Sequence, residues 1–373
     1  VEFQEPQRVF ALPNPPKNWS AHEVLDEANL AATAARFQLR SYRDLRPLPE
    51  PYAHWTNNAE PGTVTDDSRH KMILMHALRE TKRRQSWPIG APDLARAYLS
   101  WPESEVFHRH PEYASICREW LSEMHRAARW VVGDRDLARA YPTERLWSGL
   151  PTCCGQMTLP PLAAIYAGDP SAAYRAAYHL AFFDNGWGKD LNAAWIAALA
   201  GALTLKFDES DRAGAWRQMF DMMRRTDPYA YAQVPWTYRS VDRWLDLALD
   251  AAEKSQRRPA ALFKRLNLEF RETIKWEAQV PFVVAISSAV ICDYDPRAAM
   301  QLSIEWGHDT DSDAQLLGAM VGALHGPDVF PSALRGTVAD RLKLDYGQDI
   351  HEWVELLVDL HRLAGTQTIV RTS

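Results

Sequence analysis

The stretch Gly307-His308-Asp309-Thr310-Asp311-Ser312-Asp313-Ala314-Gln315 sets three aspartates and two hydroxyl side chains within five residues, directly before the small and apolar run Leu316 to Leu324. The pattern predicts a helix entrance, because Asp and Ser accept bonds from free N–H groups there and meet the positive end of the helix dipole. One carboxylate would suffice for a cap. The surplus points to a hard cation: carboxylate and hydroxyl oxygens suit Mg, Mn or Ca, whereas zinc more often recruits His or Cys. The plainer alternative is a capped, tightly packed helix. Gly318, Ala319, Gly322 and Ala323 fit that alternative, since small residues on one face let another backbone approach closely.

A second cluster lies upstream. Pro61-Gly62-Thr63-Val64-Thr65-Asp66-Asp67-Ser68 is a Pro-Gly turn signal followed by a hydroxyl and two adjacent carboxylates, leading into the helix-like run Met72 to Leu78. Adjacent carboxylates repel unless a cation or a proton relieves them. Two such entrances facing each other would supply about six oxygen ligands, enough for two divalent ions with waters left over.

Thr65-Asp66-Asp67-Ser68 after Pro61-Gly62, together with Gly307-x-Asp309-Thr310-Asp311-Ser312-x-Ala314 ahead of Gly318-Ala319 and Gly322-Ala323, closely resembles the ADP-ribosylglycohydrolase family. The resemblance implies an all-α fold and a binuclear magnesium or manganese centre. Its ligands would be Thr65, Asp66, Asp67, Asp309, Asp311 and Ser312, with Asp311 also catalytic. It implies hydrolysis of the glycosidic bond of an ADP-ribosyl conjugate, so that the partner is an ADP-ribosylated protein or a small molecule containing ADP-ribose. Val1-Glu2-Phe3 resembles the end of the family's first helix, which implies that residues preceding Val1 are missing and that Glu2 is the acidic residue beside the metals. An exposed terminal glutamate is the alternative reading of Glu2.

Trp147 to Met157 is turn-rich and falls where the family has a Gly-Asn-Gly-x-x-Met-Arg loop that cradles ADP-ribose. The resemblance thus implies ligand contacts at Cys154, Gly155, Gln156 and Met157, yet Cys154 stands for the Asn and no Arg follows Met157. The turn Phe183 to Asp190 lacks the family's Thr-His pair. Asp184, Asn185 and Trp187 are its candidates for facing a ligand, and an ordinary interhelical turn explains them equally well. His308 stands where the family commonly has Gly and either bonds a ligand or caps the helix, the cap being favoured. Both metal clusters match while both recognition loops diverge, so the expected substrate differs from ADP-ribosyl-arginine on proteins. The same contrast leaves room for a binding or immunity protein that keeps the metals but blocks another protein's site. A purely structural descendant has no physical need for six metal-facing oxygens.

The rest of the chain must position these residues. At 373 residues and 46% hydrophobic content it can bury a sizeable core, and a net charge of −6 gives no general attraction for nucleic acid or anionic membrane. Four cysteines without a repeated CxxC spacing suggest reduced thiols and a cytoplasmic location. The apolar stretches Leu191 to Leu205 and Val280 to Cys292 fall short of the roughly 20 residues that span a bilayer and read as buried helices. Helical periodicity recurs over Asp67 to Arg84, Asp93 to Trp101, Tyr113 to Val132, Leu159 to Tyr166, Ser171 to Phe182 and the tail through Leu363, and no stretch shows period-2 alternation. The expectation is one all-α domain, monomeric or weakly dimeric. Residues 13–55, a helix between Pro-rich loops, read as an insertion or lid, and Tyr229, Tyr231 and Trp236 read as core more than as a ligand platform.

Overall fold

The two most apolar stretches become the two central helices. In the computed structural model, α7 (Gly188–Ala202) is buried at every residue but Lys189, and α11 (Gln279–Ile291) at every residue but Val290. Helices apolar on all sides must be surrounded. The remaining elements do this around one continuous hydrophobic core in which Trp195, Trp216 and Trp306 are fully buried. The structure describes residues 62, 64–101, 121–233, 236 and 238–371; Glu2 and the segment 13–55 lie outside the described residues.

Before α7 come α1 (Asp66–Arg83), α2 (Ala91–Ser100), α3 (Ser122–Val131), α4 (Cys154–Thr158), α5 (Pro160–Ile165) and α6 (Pro170–Leu180). Between α7 and α11 lie α8 (Arg212–Arg225), α9 (Ser240–Lys254) and α10 (Pro259–Glu269). The chain ends with α12 (Pro296–Glu305), α13 (Thr310–His325), α14 (Ser332–Tyr346) and α15 (Ile350–Arg371). Among the described residues the fold is all-α, as expected, with an isolated antiparallel bridge between Thr152 and Glu277. No described helix is long and apolar enough to cross a membrane.

Local chemistry accounts for the boundaries that matter. Gly62 has φ +84, and a Cβ there would sit 2.7 Å from the Thr337 carbonyl oxygen of α14, so the turn into α1 needs glycine. Thr65 is extended; Asp66 and Asp67 occupy the first turn of α1 and Lys82 and Arg83 the last, each sign matched to the dipole. At its far end α13 stops at His325, where Gly326 takes φ +77 and Pro327 cannot continue the helix.

Packing places the two acidic entrances together. The buried face of α13 lies on α11, α12 and α7, while its first turn meets α1 and α4. Among the described residues the small-residue face of α13 does not admit another backbone, contrary to the sequence expectation. Among the described residues, a Cβ on Gly318 would meet only the Met300 side chain and one on Gly322 nothing within 4 Å, because the helix turns Leu316, Leu317, Met320 and Val321 to the core instead. Trp236 is 84% exposed, which also corrects its reading as core; Tyr229 and Tyr231 join the half-buried Tyr178 and the fully buried Tyr174 in a ring cluster that runs from the core to the surface.

The start of α7 is held by a buried ion pair. Arg239 donates to Asp190 Oδ1 at 2.9 Å and to the Arg224 carbonyl at 2.7 Å, and Asp190 also accepts from the hydroxyls of Tyr174 and Ser240.

Candidate metal centre

Ser312 Oγ, on the first turn of α13, donates to Asp67 Oδ2 on the first turn of α1 at 3.4 Å, joining residues 245 apart in the chain. One carboxylate oxygen each from Asp66, Asp67 and Asp311 lies within 4.8 Å of the others. The charge of Asp311 acts on both Asp67 and Asp309. Ionised carboxylates accept and cannot donate, so this closeness satisfies none of them. Asp67 Oδ1 and both oxygens of Asp311 are buried with no hydrogen-bond partner.

The fold supplies its own control for the capping reading. Asp169, Asp208, Asp211 and Asp295 are N-caps whose side chains accept backbone N–H groups of the helices they open. At the two acidic entrances the N-caps are Thr65 and Asp309, and neither side chain makes a capping bond. Oxygens turned away from a helix end that could use them fit a cation better than a cap. The donor set is all oxygen, closely spaced and short of donors, which suits a hard divalent ion.

Electrostatics carry the same sign. Burial, then Asp311, pushes the Asp67 carboxyl well above the usual range; burial followed by Asp311 and Asp67 does the same to Asp309 and to Asp313. Lys71, one turn along α1, donates to the Asp67 carbonyl at 3.0 Å. Burial pulls its ammonium down to about 8, against the opposing pull of Asp67, Asp66 and Asp311.

Sequence reasoning gave no role to Asp313 or Lys71, which the structure places at the same two entrances. Asp313 is fully buried with both oxygens unpartnered, on the same helix face as Asp309 four residues earlier. That spacing was available in the sequence, as was the spacing of Lys71 from Asp67. His308 corrects an expectation: it takes φ +63, its ring packs on Trp306 with centroids 4.7 Å apart, and its Nε2 lies 3.4 Å from Asn267 Oδ1 of α10, so it does not cap α13.

The loop before α4 approaches the same place. Cys153 Sγ is 3.8 Å from Ser312 Oγ. Cys153 N donates to the Trp276 carbonyl at 3.0 Å and Ala278 N to the Pro151 carbonyl at 2.8 Å, which fixes the loop against the segment entering α11. Gln156 Nε2 donates to Asn192 Oδ1 and to the Ala278 carbonyl, both at 2.9 Å. Asp184 accepts from Gly155 N and from Asn192 Nδ2, also at 2.9 Å, and burial pushes its carboxyl up to about 7. Asn185 Nδ2 donates to the Leu146 carbonyl. Cys154 and Met157 are buried in the core, and Trp187, 37% exposed, leans on Trp244. Trp147 and Trp276, both half-buried, meet edge to face at 5.7 Å beside Cys153.

This network makes Gly155 the least replaceable residue of the loop. A Cβ there would lie 2.1 Å from Asp184 Oδ2 and 2.9 Å from Asn192 Nδ2, so Gly155→Ala must displace a buried, hydrogen-bonded carboxyl. The expected cost is about 2–3 kcal/mol, from overpacking and a weakened buried bond. Urea unfolding of the variant checks it; a loss under about 0.5 kcal/mol would mean that Asp184 moves freely.

No curated protein matches the chain. The sequence model of the ADP-ribosylglycohydrolase family matches residues 19–368, nearly the whole chain, and the protein therefore belongs to that family of hydrolases.

Proposed function

We propose that the protein cleaves the glycosidic bond of an ADP-ribosyl conjugate at a centre of two Mg or Mn ions held by Thr65, Asp66, Asp67, Asp309, Asp311 and Ser312. The observation that supports this reading is a set of buried carboxylate oxygens at the two helix entrances, Asp67 Oδ1 and both oxygens of Asp311 and of Asp313, that have no hydrogen-bond partner. When bound, such ions stabilise charge at the reacting oxygens and lower the pKa of an attacking water.

The chain's own residues then have distinct tasks. Ser312 fixes the Asp67 carboxylate through its hydroxyl. Asp311, on the first turn of α13 and within 4.8 Å of Asp66 and Asp67 on α1, ties the two helix ends to one site and is the carboxylate we assign to receive a proton from water. Glu2, outside the described residues, is proposed to assist that transfer. The backbone of Cys154 to Met157, supported from behind by Gln156, Asp184 and Asn192, forms the wall facing the ligand, and Trp147 and Trp276 offer flat apolar surface at its edge for a base. Trp187, Asn185 and His308 complete the proposed ligand-facing set.

The cleavage passes through an oxocarbenium-like state with water attacking opposite the leaving group. Ions held by the six proposed ligands would serve the ribose and the attacking water, whereas the loops must fit everything else. With Cys154 in place of Asn and Thr158 in place of Arg, we propose a leaving group other than protein arginine.

A panel of ADP-ribosylated arginine, serine and nucleobase substrates, with NAD-like and O-acetyl-ADP-ribose metabolites, tests this with Mg, with Mn and with chelator. Chelator-sensitive release of ADP-ribose is expected from at least one substrate other than ADP-ribosyl-arginine. Fast release from ADP-ribosyl-arginine would overturn the altered-substrate reading. Bound metal without release from any substrate would replace the hydrolase by a binding protein.

A further inference from the structure

Five carboxyl groups, those of Asp66, Asp67, Asp309, Asp311 and Asp313, crowd the two entrances, and Lys71 is the cation whose field opposes theirs at Asp67. Its position follows from the helix. Lys71 is four residues after Asp67 on α1, half-buried, and its side chain runs back along the helix to reach the Asp67 carbonyl oxygen at 3.0 Å. That direction brings the ammonium toward Asp66, Asp67 and Asp311, the three groups whose oxygens gather within 4.8 Å.

We propose that Lys71 is a built-in counter-ion of this cluster, which partly neutralises Asp66, Asp67 and Asp311 before divalent ions bind and repels those ions when they do. It would then set the cation affinity of the site, holding it below what the carboxylates alone would give. The inference rests on the metal-centre reading above. A neutral side chain at residue 71 would leave the same oxygens with more negative charge. A bound ion would gain from that charge, and the metal-free protein would have to bear it.

The test is Lys71→Met, which keeps the apolar stem, beside Lys71→Arg, which keeps the charge. Mn binding is measured by calorimetry on full-length protein, and thermal unfolding is followed in chelator and in Mn. For Lys71→Met, Mn affinity should rise at least about tenfold, the order of effect expected when a like charge is removed from beside a divalent ion. Its unfolding midpoint in chelator should fall, and the shift produced by Mn should exceed that of wild type. Lys71→Arg should bind Mn within about threefold of wild type.

Mn binding by Lys71→Met with affinity equal to or below wild type would overturn the counter-ion role and leave the metal centre standing. Binding by Lys71→Met but not by wild type would support it in its strongest form. Absence of Mn binding in both, with both proteins folded, would overturn the metal centre and this inference together. If Lys71→Met does not fold, Lys71→Gln supplies the same comparison.

Discussion

Asp311→Asn is expected to abolish divalent-cation binding and to lower turnover by roughly 10³-fold or more, corresponding to about 4 kcal/mol, while the metal-free variant unfolds at a higher temperature than metal-free wild type. The two effects have one cause. Asp311 sits within 4.8 Å of Asp66 and Asp67 with neither of its oxygens receiving a donor. It serves the site only when cations are present and otherwise adds like charge to a buried cluster. The asparagine amide removes that charge and donates to a neighbouring carboxylate. Most substitutions that destroy an ordinary structural residue lower both function and stability, so the opposite signs are diagnostic. Calorimetry with Mn, turnover and melting in chelator measure them. Retained Mn binding together with a lowered metal-free midpoint would place Asp311 outside the centre.

Arg239→Ala should cost about 3–5 kcal/mol. Its guanidinium is fully buried and joins Asp190, at the first turn of α7, to the Arg224 carbonyl in the last turn of α8. Truncation strands the Asp190 carboxylate with only the Tyr174 and Ser240 hydroxyls. Two neutral donors do not replace a cation in a low-dielectric interior. Denaturant unfolding gives the number, and a loss below about 1 kcal/mol would mean that water reaches Asp190. Because the turn 183–190 leads directly into α7, the variant should also bind substrate more weakly at temperatures where it remains folded.

The two acidic helix entrances were legible in the sequence because each is local: Thr65 to Asp67 and Asp309 to Ser312 carry their chemistry in residue type and spacing. Central helices were legible for a similar reason, since Leu191 to Leu205 and Val280 to Cys292 are apolar on every face. What joins distant segments was not. Nothing near Gly155 in the chain announces Asp184 or Asn192, 29 and 37 residues away, yet those side chains decide why glycine is required there. Nor does the sequence around Gln156 announce that its amide nitrogen bonds to Asn192 and Ala278. The small residues of α13 misled because their spacing defines a face without saying what lies across it. Asp313 was overlooked for the opposite reason, since the family resemblance assigns no role to that position.

The contact between Ser312 and Asp67 spans 245 residues, and the proposed ligands are divided between those two distant segments. A cation bound there is a clasp on the chain: neither half of the site exists as a chelate until α1 and α13 have docked. Ions that bind only the docked form stabilise it by mass action, by about 2.7 kcal/mol at a hundredfold excess over Kd. Chelation would therefore loosen the whole molecule and not merely its active site. Metal supply then acts on the lifetime of the folded chain, so that starvation for the ion would deplete the protein itself as well as silence it.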